Sequence, residues 1–154
     1  QELQRLQDLV AIAPSYADAW ANLGNAWYAA ALTGDSLALP KALKAYERAL
    51  QLNPTHANAH VGRGAILQVT GHLVEAEVAY RSSLRLTSPA SQAAMNLAGL
   101  YMMRARLSTD SEQRVDLLRS ARAVFVDAAA AGNAAAAAGI RAVDDSLAAA
   151  QRQR

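Results

Sequence analysis

Apolar residues recur along this chain at spacings of three, four and seven, the period of an amphipathic helix. Leu3, Leu6, Leu9, Val10 and Ala13 follow it up to Pro14, which predicts a helix over 2–12. Trp20, Leu23, Gly24 and Trp27 open a second stretch, and Ala42, Tyr46 and Ala49 a third. Together with the in-register repeat of such stretches, this gives helices at about 17–31, 41–52, 57–70, 73–86, 90–106, 111–131 and 134–150. Punctuation agrees with these bounds. Gly34 suits a helix end and Pro40 a helix first turn. Asp110 with Gln113 reads as an N-cap pair, and Ser15 with Asp18 and Ser88 before Pro89 are similar start signals.

The stretches repeat one another. Trp20-Ala-Asn-Leu-Gly-Asn-Ala-Trp27 aligns with His60-Val-Gly-Arg-Gly64-Ala-Ile-Leu67 and with Ala94-Met-Asn-Leu97-Ala-Gly-Leu-Tyr101. Each is followed by a small residue, an aromatic four places on and a further small residue: Ala42, Tyr46 and Ala49; Ala76, Tyr80 and Ser83; Ala121, Phe125 and Ala128. The small residues Gly24, Gly64 and Ala98 allow close helix approach, and the aromatics fill the space between one hairpin and the next. A lone hairpin of this kind cannot bury its apolar face, so copies stack. Pro14, Pro54 and Pro89 mark a period of 40 and then 35 residues. The excess over about 34 in the first copy is an insertion, Leu32 to Pro40, and the third copy is stretched at Arg106 to Gln113.

This pattern resembles the tetratricopeptide repeat (TPR). The first copy matches at Trp20, Leu23, Gly24, Trp27, Ala42, Tyr46, Ala49 and Pro54. The second keeps Gly64, Leu67, Ala76 and Tyr80 and departs at His60, Arg63 and Ser83; the third keeps Leu97, Tyr101, Ala121, Phe125 and Ala128, with Ala98 in the usual Gly place. The resemblance implies an all-α fold, a right-handed α-solenoid of three TPR hairpins with terminal capping helices. The expected organisation is an N-terminal helix over 1–13, left from an earlier repeat or acting as a cap, repeats at 14–54, 55–88 and 89–132, and a cap helix and frayed tail over 133–154.

Composition narrows this further. Of 154 residues 38 are Ala, and aromatics make up 5%, so helix is favoured over sheet. Net charge is +2, and the segments ending at Pro54, Ala90 and Arg154 carry −1, +1 and +2. No segment is a polycation, so neither nucleic acid nor an acidic membrane surface is an expected partner. No stretch of about 20 apolar residues suggests membrane insertion, and no signal peptide is visible. The absence of Cys excludes disulfides, thiolate catalysis and Cys-ligated zinc. Cytoplasm is the preferred compartment, and the near-exclusive use of Arg over Lys suggests a bacterial source. A chain beginning at Gln1 is expected to be an excised domain or to have lost an upstream part, which leaves Leu3, Leu6 and Leu9 as an apolar edge for self-association.

Candidate chemistry is sparse. His56 and His60 stand at a spacing that can hold zinc, but no Cys accompanies them and HANAH lacks the Glu of a zinc protease. The plainer reading makes His60 a packing aromatic and His56 a turn residue. Asp144 and Asp145 are adjacent and diverge on a helix. Ser82 and Ser83 have no base arranged for them, and Arg81 and Arg85 read as an exposed pair. Gly62-Arg63-Gly64 is no phosphate loop, having neither a preceding strand nor a following Lys-Ser/Thr. No catalytic residue, metal or cofactor is expected.

In the family the first helix of each repeat lines a concave groove. By resemblance its lining falls on Asp18, Asn22, Asn25 and Tyr28; on Asn58, Val61 and Gln68, with Gly62 between; and on Gln92, Met95, Asn96, Met102 and Met103, with Gly99 among them. The carboxylate clamp known in some members needs cations where this chain has Ala21, Asn58 and Gly62, although Asn25 fits one clamp position. Asn22 and Asn96 are similar instead to groove asparagines that grip a peptide backbone, in a ladder that Gly62 interrupts. The resemblance thus implies a non-catalytic scaffold or adaptor that binds a peptide segment of a partner protein. The groove's one charge is Asp18, so binding should depend weakly on salt. The alternative is a TPR segment of a larger enzyme or of a secretion or assembly factor whose chemistry lies outside this chain.

Overall fold

A computed structural model describes residues 1–89 and 91–152. Among them are eight helices: α1 (Glu2–Ile12), α2 (Ala17–Leu32), α3 (Ala38–Leu52), α4 (Ala57–Val69), α5 (Leu73–Leu84), α6 (Gln92–Leu107), α7 (Ser111–Ala130) and α8 (Ala136–Arg152). The all-α class read from the repeats is the one adopted, and the helical hairpins are those of a TPR-type α-solenoid. Neither the helix start at Ala90 nor the end of the frayed tail, Gln153 and Arg154, falls within the described residues.

The chain forms two compact units, Gln1–Leu86 and Thr87–Arg154. In the first, α2 pairs with α3 and α4 with α5, while α1 packs on α2 and α2 lies beside α4. In the second, α6 pairs with α7 and α7 with α8.

Small residues place the helices. Ala42, Ala49, Ala59, Ala76, Ala121 and Ala128 are wholly buried, so the helices meet without long side chains between them. Buried aromatic rings fill what remains. The Tyr46 ring is held between α2 and α4: a Cβ on Gly24 would sit 2.7 Å from it, and one on Gly62 2.2 Å. Tyr80 lies against Gly64, and in the second unit Phe125 lies against Gly139 of α8. Gly62 is therefore a buried packing residue and not part of an open groove floor, a correction to its expected place. Asn22, two residues ahead of Gly24 as Gly62 is of Gly64, keeps a side chain and is exposed. The physical reason is the preceding helix, where Leu6, eight residues before Pro14, occupies the place that Tyr46 has before Pro54.

The N-terminal edge is partly closed. Leu3 and Leu6 pack against a cluster of Val10, Ala19, Leu23 and Ala45, so these two are not the free apolar edge that the sequence suggested. Ile12, 83% exposed, and Leu9 remain outside.

Caps show where local chemistry decided a boundary. The Asp110 carboxylate accepts a hydrogen bond from the Gln113 backbone N–H at 2.8 Å, as the sequence predicts. Ser15 does not cap α2, whose N-cap position is Tyr16, and Ser91 rather than Ser88 stands ahead of α6. The unexpected cap is His56. Its Nδ1 accepts from the Ala59 backbone N–H at 3.2 Å. Turns after α2, α4 and α7 use Gly34, Gly71 and Gly132 at positive φ, which frees each chain reversal from Cβ strain.

Candidate functional site

The expected lining residues fall into one set on each unit. On the first unit, α2 carries Asp18, Asn22, Asn25 and Tyr28, and neighbouring α4 carries Asn58, Val61 and Gln68. Two hydrogen bonds organise this surface. The Tyr46 hydroxyl donates to Asn25 Oδ1 at 2.8 Å, and the Tyr80 hydroxyl donates to Gln68 Oε1 at 2.9 Å. Burial raises both phenols, Tyr46 and Tyr80 each to about 12, with the nearby Tyr28 phenol a secondary cause. Tyr28 packs against the cluster that contains Tyr46. Asn25 and Gln68 each cap the end of one core tyrosine, and each amide keeps its NH2 as a donor. Asn22 is exposed and Val61 half-buried beside them.

At the N-terminal ends of the same helices, Asp18 and Asn58 line a shallow depression of about 250 Å³ together with His56. His56 Nε2 meets Asp18 Oδ1 at 2.9 Å. Because Nδ1 of this ring accepts from Ala59, the proton sits on Nε2 and is donated to Asp18. His60 turns elsewhere, its Nε2 donating to the Pro54 carbonyl oxygen at 2.9 Å. The two imidazoles, candidates for a joint metal site by spacing, are thus engaged by different partners. Among the described residues no three His, Asp or Glu side chains cluster. Asp144 pairs with Arg122 at 2.7 Å, and Arg81 with Glu77 at 2.9 Å. No helix of the described residues is long and apolar enough to cross a membrane.

On the second unit the candidates lie on α6. Gln92 donates to Asn96 Oδ1 at 2.7 Å, an i, i+4 pair along the helix. Met95, Met102 and Met103 are half-buried. Met102 lines an open cavity of about 460 Å³ between α6, α7 and α8, with Gly99 and Ala105 on its own helix, Leu118 on α7, and Ala142 and Ala149 on α8. Arg106 and Arg114 also line it, and these two cations were missed by sequence reasoning. Arg106 lies in the last turn of α6 and Arg114 in the first turn of α7, on either side of the short link that sequence reads as an insertion. The available signal was that an insertion flanked by Arg at each end places both cations at one mouth. The expectation of a groove with Asp18 as its one charge does not describe this cavity.

The comparisons with known proteins bear on the repeat and the fold. Residues 38–71 match the family model described as TPR repeat. This segment is a tetratricopeptide repeat. The matched stretch runs from α3 through α4 and so contains Tyr46 and its contact Gly62. A search of curated proteins finds no relative by sequence. Among solved structures, a thermophilic TPR protein of Thermus thermophilus is similar with a TM-score of 0.69 at 24% identity, over 97% of this chain and 71% of that one. The TPR2B domain of yeast Sti1, in its complex with pHsp70, gives 0.57 at 19% identity over 90% of this chain and 98% of that one. The MamA protein gives 0.61 at 12% identity, over 97% and 77%. These likenesses establish the TPR fold.

Proposed function

We propose that this chain is a non-catalytic adaptor that binds a peptide segment of a partner protein along the first helices of its hairpins. TPR repeats are in general protein-interaction modules, and one structural neighbour is a TPR domain in complex with pHsp70. The observation that carries the reading is the anchoring of groove amides by core phenols. With their oxygens held by Tyr46 and Tyr80, Asn25 and Gln68 are fixed in orientation. Their NH2 groups can then donate to a peptide backbone with little ordering cost at binding. Exposed Asn22 and Asn58 extend the row of amides on α2 and α4. Amides of this kind read backbone and not side-chain charge, so affinity should be modest, on the order of micromolar.

Panning a displayed peptide library on the chain supplies a ligand, and calorimetry then measures it against Asn22→Ala with Asn58→Ala. Both residues are exposed, so the fold tolerates their loss. A weakening of roughly tenfold or more is expected, with Arg85→Ala as a control that changes nothing. Unchanged affinity in the double variant, with loss in the control, would remove the groove reading.

A further inference from the structure

The open cavity of the second unit has a chemical character that differs from the amide surface of the first. Its walls are small or apolar: Gly99, Met102 and Ala105 on α6, Leu118 on α7, Ala142 and Ala149 on α8. Small residues leave the space, and Met102 can shift to fit what enters it. Arg106 and Arg114 also line the cavity, and among the described residues no Asp or Glu joins them. Arg114 donates one hydrogen bond, to the Ser108 carbonyl oxygen at 2.9 Å, which fixes the side chain and uses only part of its guanidinium. A guanidinium carries five N–H donors, so most of Arg114 is left for an acceptor. Arg106 is exposed. A volume of about 460 Å³ exceeds what a single large aliphatic or aromatic side chain needs.

We infer that this cavity is a specificity pocket for an acidic peptide motif, one bulky apolar side chain seated against Met102 and Leu118 with a neighbouring carboxylate held by Arg106 and Arg114. The inference rests on the peptide-binding reading above and names the part of the peptide that gives sequence selectivity. Charge complementarity selects the occupant. Apolar walls alone would take any aliphatic group, but two arginines without an acidic counterpart favour an anion beside it, and Arg pairs carboxylates through parallel hydrogen bonds. Binding at this pocket should therefore weaken with salt.

The test uses the full chain, isotope-labelled, titrated to millimolar concentration with capped peptides of Gly-Ser flanks around Leu-Glu, Leu-Gln or Ala-Glu. The Leu-Glu peptide should shift the amide resonances of Gly99, Met102 and Ser146. Leu-Gln and Ala-Glu should each bind at least about tenfold more weakly, close to one hydrogen-bonded charge or one buried side chain. Arg106→Gln, exposed and so harmless to folding, should erase the preference for Leu-Glu over Leu-Gln. Ala149→Leu, which fills the cavity, should abolish the shifts while circular dichroism stays helical. Equal binding of Leu-Glu and Leu-Gln would overturn the proposal, as would no shifts at millimolar peptide or an undiminished preference in Arg106→Gln. So would displacement of the peptide by dodecanoate at far lower concentration, which would make the pocket a lipid site. Shifts confined to Asn22, Asn25 and Asn58 would overturn it while leaving the peptide groove intact. Loss of those shifts, with the cavity still selective, would remove the groove reading alone.

Discussion

Tyr46, 1% exposed at the centre of the first unit, reaches the surface through Asn25: its hydroxyl donates to Asn25 Oδ1 across 2.8 Å from α3 to α2. The ring is a packing residue and the hydroxyl is part of the candidate site. One side chain therefore links the core to the amide surface, and Tyr80 with Gln68 does the same one hairpin on. Rigidity of the surface is inherited from the core, since neither amide can swing without breaking a hydrogen bond from a ring that has no room to follow.

That link gives a pH dependence. Both phenols are raised to about 12 by burial, against 10 in the unfolded chain. Below pH 10 both states hold the proton and stability is fully present. Between pH 10 and 12 the unfolded chain ionises first, so stability falls as pH rises. The loss should be roughly 1–2 kcal/mol per ring, less than the two-unit shift alone would give because the hydroxyl ends lie toward solvent. Urea melts at pH 9 and pH 11.5 measure it. Tyr46→Phe should flatten about half of the dependence and cost on the order of 1 kcal/mol at neutral pH through the lost bond to Asn25.

Two helix-interior glycines should respond oppositely to alanine. At Gly62 the added methyl would lie 2.2 Å from the Tyr46 ring, which is clamped on its other side by Gly24. Gly62→Ala should destabilise by about 1–3 kcal/mol through overpacking. At Gly99 nothing lies within 4 Å of the new methyl. Gly99→Ala should stabilise α6 by roughly 0.5–1 kcal/mol. Thermal melts of both decide it, and a destabilised Gly99→Ala would mean that the cavity wall is not open.

The repeat geometry was legible in sequence because it rests on side-chain size at fixed spacing. Gly24, Ala42, Tyr46 and their counterparts report packing that each copy restates, so three imperfect copies suffice. The cap of α7 was legible in Asp110, whereas α4 starts at Ala57 as expected but its cap, His56, was read only as a turn residue. His56 escaped because histidine is not among the usual capping residues, although its Nδ1 reaches only to Ala59, and because its bond to Asp18 spans 38 residues. Gly62 escaped for a related reason. A glycine aligned with groove positions is indistinguishable in sequence from one that makes room for a neighbour's ring. Arg106 and Arg114 fall within the expected helices 90–106 and 111–131, but the insertion between them breaks the repeat register, and register was the one device that placed side chains on a face.

The departure of the second repeat from the usual aromatic offers the last prediction. Trp20 Nε1 donates to the Pro14 carbonyl oxygen at 2.9 Å, and His60 Nε2 donates to the Pro54 carbonyl oxygen at the same distance, each six residues back. The imidazole therefore reproduces the indole's bond. It also carries a second nitrogen, and His60 Nδ1 is buried with no hydrogen-bond partner among the described residues. A buried acceptor without a donor costs about 1–3 kcal/mol. An indole has a single nitrogen, a donor, and presents carbon where the orphan lies. His60 is only half-buried, so the larger ring has an outward side to extend into. His60→Trp should stabilise the chain by roughly 1 kcal/mol, and His60→Phe, which removes the orphan but also the bond to Pro54, should gain less or nothing. Trp20→His, the converse change, should destabilise. Denaturant midpoints for the three variants check the order, and His60→Trp falling below His60→Phe would show that ring size and not the unpaired nitrogen governs this position.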